Sequence, residues 1–159
     1  MLLKYVYVVF IGVLLSLFIG VGIAAFYPGP KAPEANYYPA KNFYNTPPSA
    51  TEAAELRKED MKQQKIWTDF QKETEEYNKN VSIIAVVLSV IILIISFVLS
   101  KKLLFIADGL LLGGLLTLIY SIIRSFNSRD FKFMFVVVTV GLLVAIFLGY
   151  TKFIKPAKK

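Results

Sequence analysis

The stretch QKETEEYNKNVSIIAVVLSVIILIISFVLSKK, residues 71–102, changes at Asn80-Val81 from densely charged to wholly apolar sequence. No proline or glycine occurs between Pro48 and Gly109. Because these two residue types disfavour a helix interior most strongly, the run is predicted to form one long helix, half outside a membrane and half inside it. At about 1.5 Å per residue, the charged half would reach roughly 45 Å beyond the lipid surface.

The composition of the whole chain is also typical of a membrane protein. Of its 159 residues 56% are hydrophobic, and the mean hydropathy is +0.59. Four apolar segments have the roughly 20 residues that a helix needs to cross about 30 Å of hydrocarbon. We therefore expect an all-α membrane protein with four transmembrane helices in a bundle, and a charged extracytoplasmic helix that continues or adjoins the second span. The predicted segments are transmembrane helices at 1–27, 81–100, 103–124 and 132–154, a Tyr/Pro-rich extended segment at 28–48, the charged helix at 49–80 and a basic cytoplasmic tail at 155–159.

The first apolar segment has two interpretations. Lys4 precedes it, and Gly22-Ile23-Ala24 resembles the small-residue site at which signal peptides are cleaved. Its apolar stretch, however, is longer than the roughly 7 to 15 residues of such signals. We favour a retained signal-anchor helix, with a cleaved signal peptide as the alternative.

Basic residues are distributed unequally between the two ends of the predicted spans. One end carries Lys4, Lys101, Lys102, Lys152, Lys155, Lys158 and Lys159, and the opposite end carries Arg124, Arg129 and Lys132. By the positive-inside rule, the more basic end faces the cytoplasm. We therefore predict a cell-membrane protein with both termini in the cytoplasm, although the outer segment 28–80 then carries basic residues of its own.

The residue types present do not favour an enzyme. The chain contains neither cysteine nor histidine, so it has no imidazole to serve as metal ligand or general base. It has no P-loop, dinucleotide-binding or zinc signature, and no histidine that could activate the serines of the spans. We predict no catalytic, cofactor-binding or metal site and no small-molecule substrate. Because the basic residues lie at span ends rather than on one clustered face, the expected partner is the lipid bilayer and not nucleic acid.

The predicted outer region contains two candidate partner contacts. Six of the seven prolines lie in segment 28–48, which favours extended, polyproline-like chain. Its Tyr37 and Tyr38 either lie at the headgroup level and on the following helix, or recognise a partner protein. Ser49 and Glu52 then form a capping box at the start of the charged helix. On that helix Trp67 and Phe70 share a face with Ile66 and Tyr77, and are the residues expected to dock.

Asn78-Lys79-Asn80 is the one place where the long helix is expected to be interrupted, because asparagine is a weak helix former. A straight helix would stand off the membrane, whereas a bend here would lay its amphipathic turns on the bilayer surface. Arg124 falls at the same level, and we expect it to be a boundary anchor that extends toward Asp130 or toward the Glu73, Glu75, Glu76 cluster.

Small residues recur at every fourth position in three spans and at every seventh position in the second. Lipid gives helices no hydrophobic drive to associate, so close backbone approach at small residues is a main source of packing. One of these rows of small residues is expected to remain exposed for contact with a second copy of the chain or with a membrane-protein partner. Leucine at Gly20 or Gly113 is expected to disrupt assembly. The predicted helix-packing residues are Gly12, Ser16 and Gly20, then Ser82, Ser89 and Ser96, then Gly109 and Gly113, and finally Gly141, Ala145 and Gly149.

Asp108 is the acid nearest a membrane interior, about five residues into the third span. It could form a buried ion pair, and the candidate partners are Lys4, Lys101, Lys102 and Lys152. Alternatively, Asp108-Gly109 belongs to the preceding turn and the acid is exposed. As charged residues at depth are often functional, a third interpretation is an ion or proton site. The favoured function is a small multi-pass membrane protein of structural, accessory or protein-interaction type; the alternative is an oligomeric channel or transporter component that uses Asp108.

Overall fold

A computed structural model describes residues 2–34 and 50–151 of the chain. These residues form four helices, α1 (Leu2–Phe26), α2 (Ala50–Leu99), α3 (Leu104–Phe126) and α4 (Phe131–Gly149), and no strand. Each helix is long and apolar enough to cross a membrane. The prediction of an all-helical chain with four helices that could span a membrane is therefore confirmed. The predictions for Tyr37, Tyr38, Ser49 and the tail at 155–159 lie outside the described residues.

The contacts between residues divide the chain into two units. The first contains the residues up to Gly29 and those from Glu75 onward, and the second is Pro30–Thr74. Helix α2 contributes residues 50–74 to the second unit and residues 75–99 to the first. Its helical structure continues through Asn78, Lys79 and Asn80 without a break.

Short polar turns set the directions of the last three helices. Four residues separate α2 from α3, and four separate α3 from α4. Connections this short make consecutive helices antiparallel neighbours. Helix α1 runs parallel to α3, because the Lys4 ammonium lies 4.8 Å from the centre of the Phe105 ring and Ile11 lies beside Gly109. The lysines at the start of α1 and in the α2–α3 turn therefore share one end of the first unit.

Helix α3 contacts each of the other three helices. Its Gly109 and Gly113 lie beside α1, its Ser121 bonds to Ser82 of α2, and its Ile122 lies beside Gly141 of α4. A further cluster joins α1 to α2 and consists of Ile19, Ile23, Val81 and Ala85, with Leu15, Tyr77, Leu88, Ile92 and Tyr120 packed against it.

The burial pattern is the reverse of that in a water-soluble protein. The largest fully buried side chains are Val81, Thr117, Ser82, Ser89, Ser121 and Ser125. By contrast, large apolar side chains face outward, for example Phe18, which is 76% exposed, and Phe135, which is 73% exposed. Because soluble proteins bury such residues, this surface is suited to a hydrocarbon solvent. Among the described residues every buried side-chain nitrogen or oxygen has a hydrogen-bond partner.

Gly109 and Gly113 of α3 lie where α1 approaches closely. A Cβ atom placed on Gly113 would lie 2.8 Å from Leu15 Cδ2 and 3.1 Å from the Gly12 carbonyl oxygen. A Cβ atom on Gly109 would lie 2.8 Å from Ile11 Cγ2. Gly20 differs, because no described atom lies within 4 Å of its Cβ position. The two glycines singled out from the sequence thus have different surroundings among the described residues.

Substitution by leucine separates these two environments. We expect Gly113→Leu to lower the free energy of unfolding by about 1–3 kcal/mol or more, because the added atoms must displace Leu15 and the α1 backbone. Gly20→Leu is the matched control and should leave the stability of the monomer unchanged. Thermal unfolding in detergent measures both effects. Equal stability of the two variants would contradict the α1–α3 contact.

Hydroxyl groups join α2 to α3. The Ser82 hydroxyl lies 2.9 Å from the Ser121 carbonyl oxygen, and the Ser121 hydroxyl lies 2.9 Å from the Ser82 carbonyl oxygen. The two hydroxyl oxygens lie 3.1 Å apart. Near the other end, Ser96 donates to the carbonyl of Ala107 over 2.6 Å. Ser89, between them, instead donates to Val86 of its own helix.

A double-mutant cycle can measure the contact between the hydroxyl groups of Ser82 and Ser121, whose oxygens lie 3.1 Å apart. Alanine at both positions should show a coupling energy of about 0.6 kcal/mol and at most roughly 1.7 kcal/mol, the range measured for hydrogen bonds between helices in membranes. Ser89→Ala combined with Ser121→Ala should be additive, since the Ser89 hydroxyl bonds within α2. Coupling in the control cycle as large as in the first would contradict the assignment.

Candidate functional site

The helix-packing residues predicted from the sequence lie in different environments. Gly12, Ser82, Ser89, Ser96, Gly109, Gly113 and Gly141 are buried, Ser16, Gly20 and Gly149 are half-buried, and Ala145 is exposed. No described atom lies within 4 Å of a Cβ placed on Gly149. The role of these residues in assembly stays a prediction.

The predicted partner residues of the charged helix lie in the second unit. Trp67 is 41% exposed, and its ring meets that of Phe70 edge to face with the centroids 6.0 Å apart. Ile66, the next residue along the chain, is also exposed. An aromatic pair with exposed area is suited to a protein contact, and this role too stays a prediction.

Asp108 lies inside α3 and is half-buried. The turn between α2 and α3 ends before it, at Leu103, so the interpretation of Asp108-Gly109 as part of an exposed turn is wrong. Buried Ala107 and Gly109 flank it. Its pairing with a lysine stays a prediction.

The most elaborate polar arrangement surrounds Arg124, in the last turn of α3. The guanidinium donates from Nε to the Tyr120 hydroxyl over 3.0 Å and from Nη1 to the Asn78 side-chain oxygen over 2.8 Å. Its central carbon lies 5.4 Å from the centre of the Tyr120 ring and 5.7 Å from that of Tyr77. These contacts, together with the near-complete burial of Asn78, which is 4% exposed, restrict the guanidinium to one position.

The chain that leaves α1 joins the same cluster. Tyr27 stacks on Tyr77 with ring centroids 5.4 Å apart and an angle of 11° between the planes. Asn80 donates from its side-chain amide to the Tyr27 hydroxyl over 3.0 Å. Gly29 then passes so close to Tyr77 that an added Cβ would lie 3.2 Å from the ring. A residue without a side chain is therefore favoured at this crossing.

Two ion pairs lie next to this cluster, between α2 and the α3–α4 turn. The Lys79 ammonium lies 3.1 Å from the Asp130 carboxylate, and Arg129 lies 3.6 Å from Glu75. Arg129 adopts a φ of 53°, in the left-handed region that a non-glycine residue enters at a cost of roughly 1–2 kcal/mol. Arg129 thus lies where the chain reverses between α3 and α4, and its side chain contacts Glu75 of α2.

These pairs correct the expectation for Arg124. Its side chain does not extend to Asp130 or to the glutamates, because Lys79 and Arg129 occupy Asp130 and Glu75. Every Asp and Glu of the chain lies within the described residues, and none of them forms an ion pair with Arg124. Among the described residues, the groups that contact the positive charge of Arg124 are the Asn78 amide, the Tyr120 hydroxyl oxygen and two aromatic rings.

Asp130 also begins α4. Its carboxylate accepts hydrogen bonds from the backbone N–H groups of Phe133 and Lys132, each 3.1 Å long. The bond from Phe133, and then that from the Lys79 ammonium, hold the pKa of Asp130 below the ordinary aspartate value of 3.8. Both contacts favour the ionised carboxylate, as at other helix N-caps.

No family model, no curated protein and no solved structure matches this chain. Within the described ranges, no group of three or more His, Cys, Asp or Glu side chains could hold a metal ion. The chemistry available at the Arg124 cluster is therefore that of hydrogen-bond donation from a fixed cation and from phenols.

Sequence reasoning missed the members of this cluster on α2. The sequence left open whether the helix continues or bends at Asn78 and Asn80, and it did not predict that their amides bind Arg124 and Tyr27 across the bundle. The spacing of Tyr120 and Arg124 was the available signal, since residues four apart on a helix are neighbours. The partners on α1 and α2 depend on tertiary packing.

The pKa of Asp130 leads to a prediction about pH. A carboxylate with a lowered pKa contributes stability that is present above its unfolded pKa, near 3.8, and is lost as pH falls through the folded value. Asp130→Asn keeps an acceptor for the Phe133 N–H but removes the charge. We expect it to melt below the wild type at neutral pH, with a difference that shrinks below about pH 4. A difference that stays constant or grows under acid conditions would contradict this role.

Proposed function

We propose that this chain is a small multi-pass membrane protein of structural or accessory type, which presents the charged helical segment 50–74 to a partner protein. The observation that carries the proposal is the division of α2. Residues 82–96 of this helix hold the buried serines that bond to or face α3, and residues 50–74 carry charged side chains and the exposed Ile66 and Trp67. One helix thus combines a membrane anchor with a polar interaction surface.

The packing inside the membrane supports an anchoring role. The close approach at Gly109 and Gly113 and the hydroxyl bonds at Ser82 and Ser96 are the contacts expected where lipid provides no hydrophobic drive. We propose that these small residues are the packing seam of the four-helix bundle. The open positions at Gly20 and Gly149 then remain for a second copy or a membrane-protein partner.

The orientation belongs to the same proposal. Lys4, Lys101 and Lys102 share one end of the first unit, and Arg124, Arg129 and Lys132 share the other. With Lys155, Lys158 and Lys159 following α4, the former end is the more basic, which favours a cytoplasmic location for both termini in the cell membrane. The charged segment would then lie outside the cytoplasm.

A channel or transporter is supported less well. The groove between α2 and α4 has a volume of about 430 Å³, and all its lining side chains are hydrocarbon. Pathways for ions normally contain carbonyl, hydroxyl or charged groups. The lining residues are Val90, Leu93, Ile94, Phe97, Val98, Val144, Phe147 and Leu148.

Photo-crosslinking in cells tests the proposed contact. A benzophenone amino acid in place of Trp67 should capture one defined protein, whereas the same group at Lys65, on the opposite face of the helix, should not. Trp67→Ala should then lower co-purification of the captured protein at least about tenfold, with Lys65→Ala unchanged, because buried tryptophans dominate protein contacts. Capture of lipid alone, or equal capture from both positions, would contradict the proposal.

A further inference from the structure

We propose that Arg124 and Tyr120 bind the phosphate of a phospholipid headgroup at the end of the bundle where α3 finishes. The site belongs to the membrane bundle and does not involve the charged segment 50–74. Its ligand chemistry is that of a phosphate anion, and its source is a lipid of the surrounding bilayer.

The cations at this end of the bundle differ in whether a carboxylate neutralises them. Lys79 and Arg129 each have a carboxylate partner, at 3.1 Å and 3.6 Å, and these pairs occupy Asp130 and Glu75. Arg124 has no carboxylate partner within the described residues, which include all acids of the chain. An arginine remains charged at any physiological pH. The positive charge of Arg124 is therefore not neutralised by any acidic side chain, whereas those of Lys79 and Arg129 nearby are.

In the described structure, Arg124 has hydrogen-bond donors that no protein acceptor uses. A guanidinium has about five N–H groups, and protein acceptors take one on Nε and one on Nη1. The remaining donors, including both on Nη2, have no protein acceptor in the described structure. The Tyr120 hydroxyl accepts from Arg124 and keeps its own proton to donate. Arginine binds phosphate oxygens through paired N–H groups, and this arrangement provides such a pair beside a phenol.

The position and the rigidity of the cluster also suit a headgroup ligand. Helix α3 has 23 residues, which corresponds to roughly 34 Å and slightly exceeds the hydrocarbon thickness of about 30 Å. Its last turn therefore reaches the headgroup level, where phosphates are concentrated and where tyrosine rings are commonly found. Because Asn78 and the rings of Tyr77 and Tyr120 already hold the guanidinium, little side-chain entropy is lost when an anion binds.

The amides of α4 do not compete for this role. Asp130 occupies the N–H groups of Lys132 and Phe133 at the start of α4. The helix N-terminus, which could otherwise attract an anion, is thus already capped by a carboxylate of the protein. Arg124 is therefore the cation at this end that is held by hydrogen bonds but has no carboxylate partner among the described residues.

The test uses the full-length protein, purified in detergent. Short-chain phosphatidylglycerol is titrated in, and binding is measured by native mass spectrometry and by the rise in melting temperature. Diacylglycerol with the same acyl chains lacks the phosphate, and inorganic phosphate lacks the chains. We expect phosphatidylglycerol alone to bind and to raise the melting temperature. An equal effect of diacylglycerol would overturn the site, and an equal effect of inorganic phosphate would overturn its assignment to lipid.

Variants of the site distinguish it from general lipid adhesion. Arg124→Gln should weaken the apparent affinity for phosphatidylglycerol at least about tenfold, the effect of losing a charge-assisted pair of bonds. Arg129→Gln is the matched control, since Arg129 lies at the same end but is paired with Glu75, and should bind as the wild type does. Unchanged binding by Arg124→Gln, or the same loss in Arg129→Gln, would overturn the proposal.

Two conservative variants keep the test valid if Arg124→Gln does not fold. Tyr120→Phe removes only the hydroxyl, and Arg124→Lys keeps the charge but loses the planar fork. Each should weaken binding of phosphatidylglycerol several-fold while the protein remains monodisperse. Wild-type affinity in both variants would overturn the role of Arg124 and Tyr120.

Discussion

At Gly109 and Gly113, α3 lies so close to α1 that a methyl group would come within 2.8 Å of Ile11 or Leu15. The hydroxyls of Ser82 of α2 and Ser121 of α3 each bond to the backbone carbonyl of the other residue. Where helices are surrounded by hydrocarbon, close contacts and interhelical hydrogen bonds of this kind are main sources of packing. Among the described residues the fully buried side chains are mostly small, and many large apolar side chains face outward.

At the end of the bundle where α3 finishes, the distribution of charge determines which groups remain available. Lys79 and Arg129 take the nearby carboxylates, and Asp130 also caps α4. Arg124 instead contacts Asn78, Tyr120 and Tyr77. A cation held by an amide and two rings is fixed without being neutralised, and this difference from its neighbours is the basis for assigning it a phosphate ligand.

Some of these features could be predicted from single segments, and others could not. The change at Asn80-Val81 and the lysines at 101 and 102 locate the second span, because hydropathy and charge are local properties. The seven-residue spacing groups Ser82, Ser89 and Ser96, and all three are buried. It does not distinguish Ser82, which bonds to α3, from Ser89, which bonds to its own helix. Gly20 and Gly113 likewise look equivalent in sequence but differ in their neighbours.

The sequence by itself determined that four segments are long and apolar enough to cross a membrane and that polar residues separate them, because each follows from the preference of a segment for lipid or water. Only the tertiary structure decided which residues meet across helices. In the expected topology, acidic residues lie near Arg124. In the structure, the rotation of α2 about its axis instead brings Asn78 to Arg124 and pairs Lys79 with Asp130. Such pairings depend on the relative positions of three helices to within about an ångström, and no periodicity within one helix contains that information.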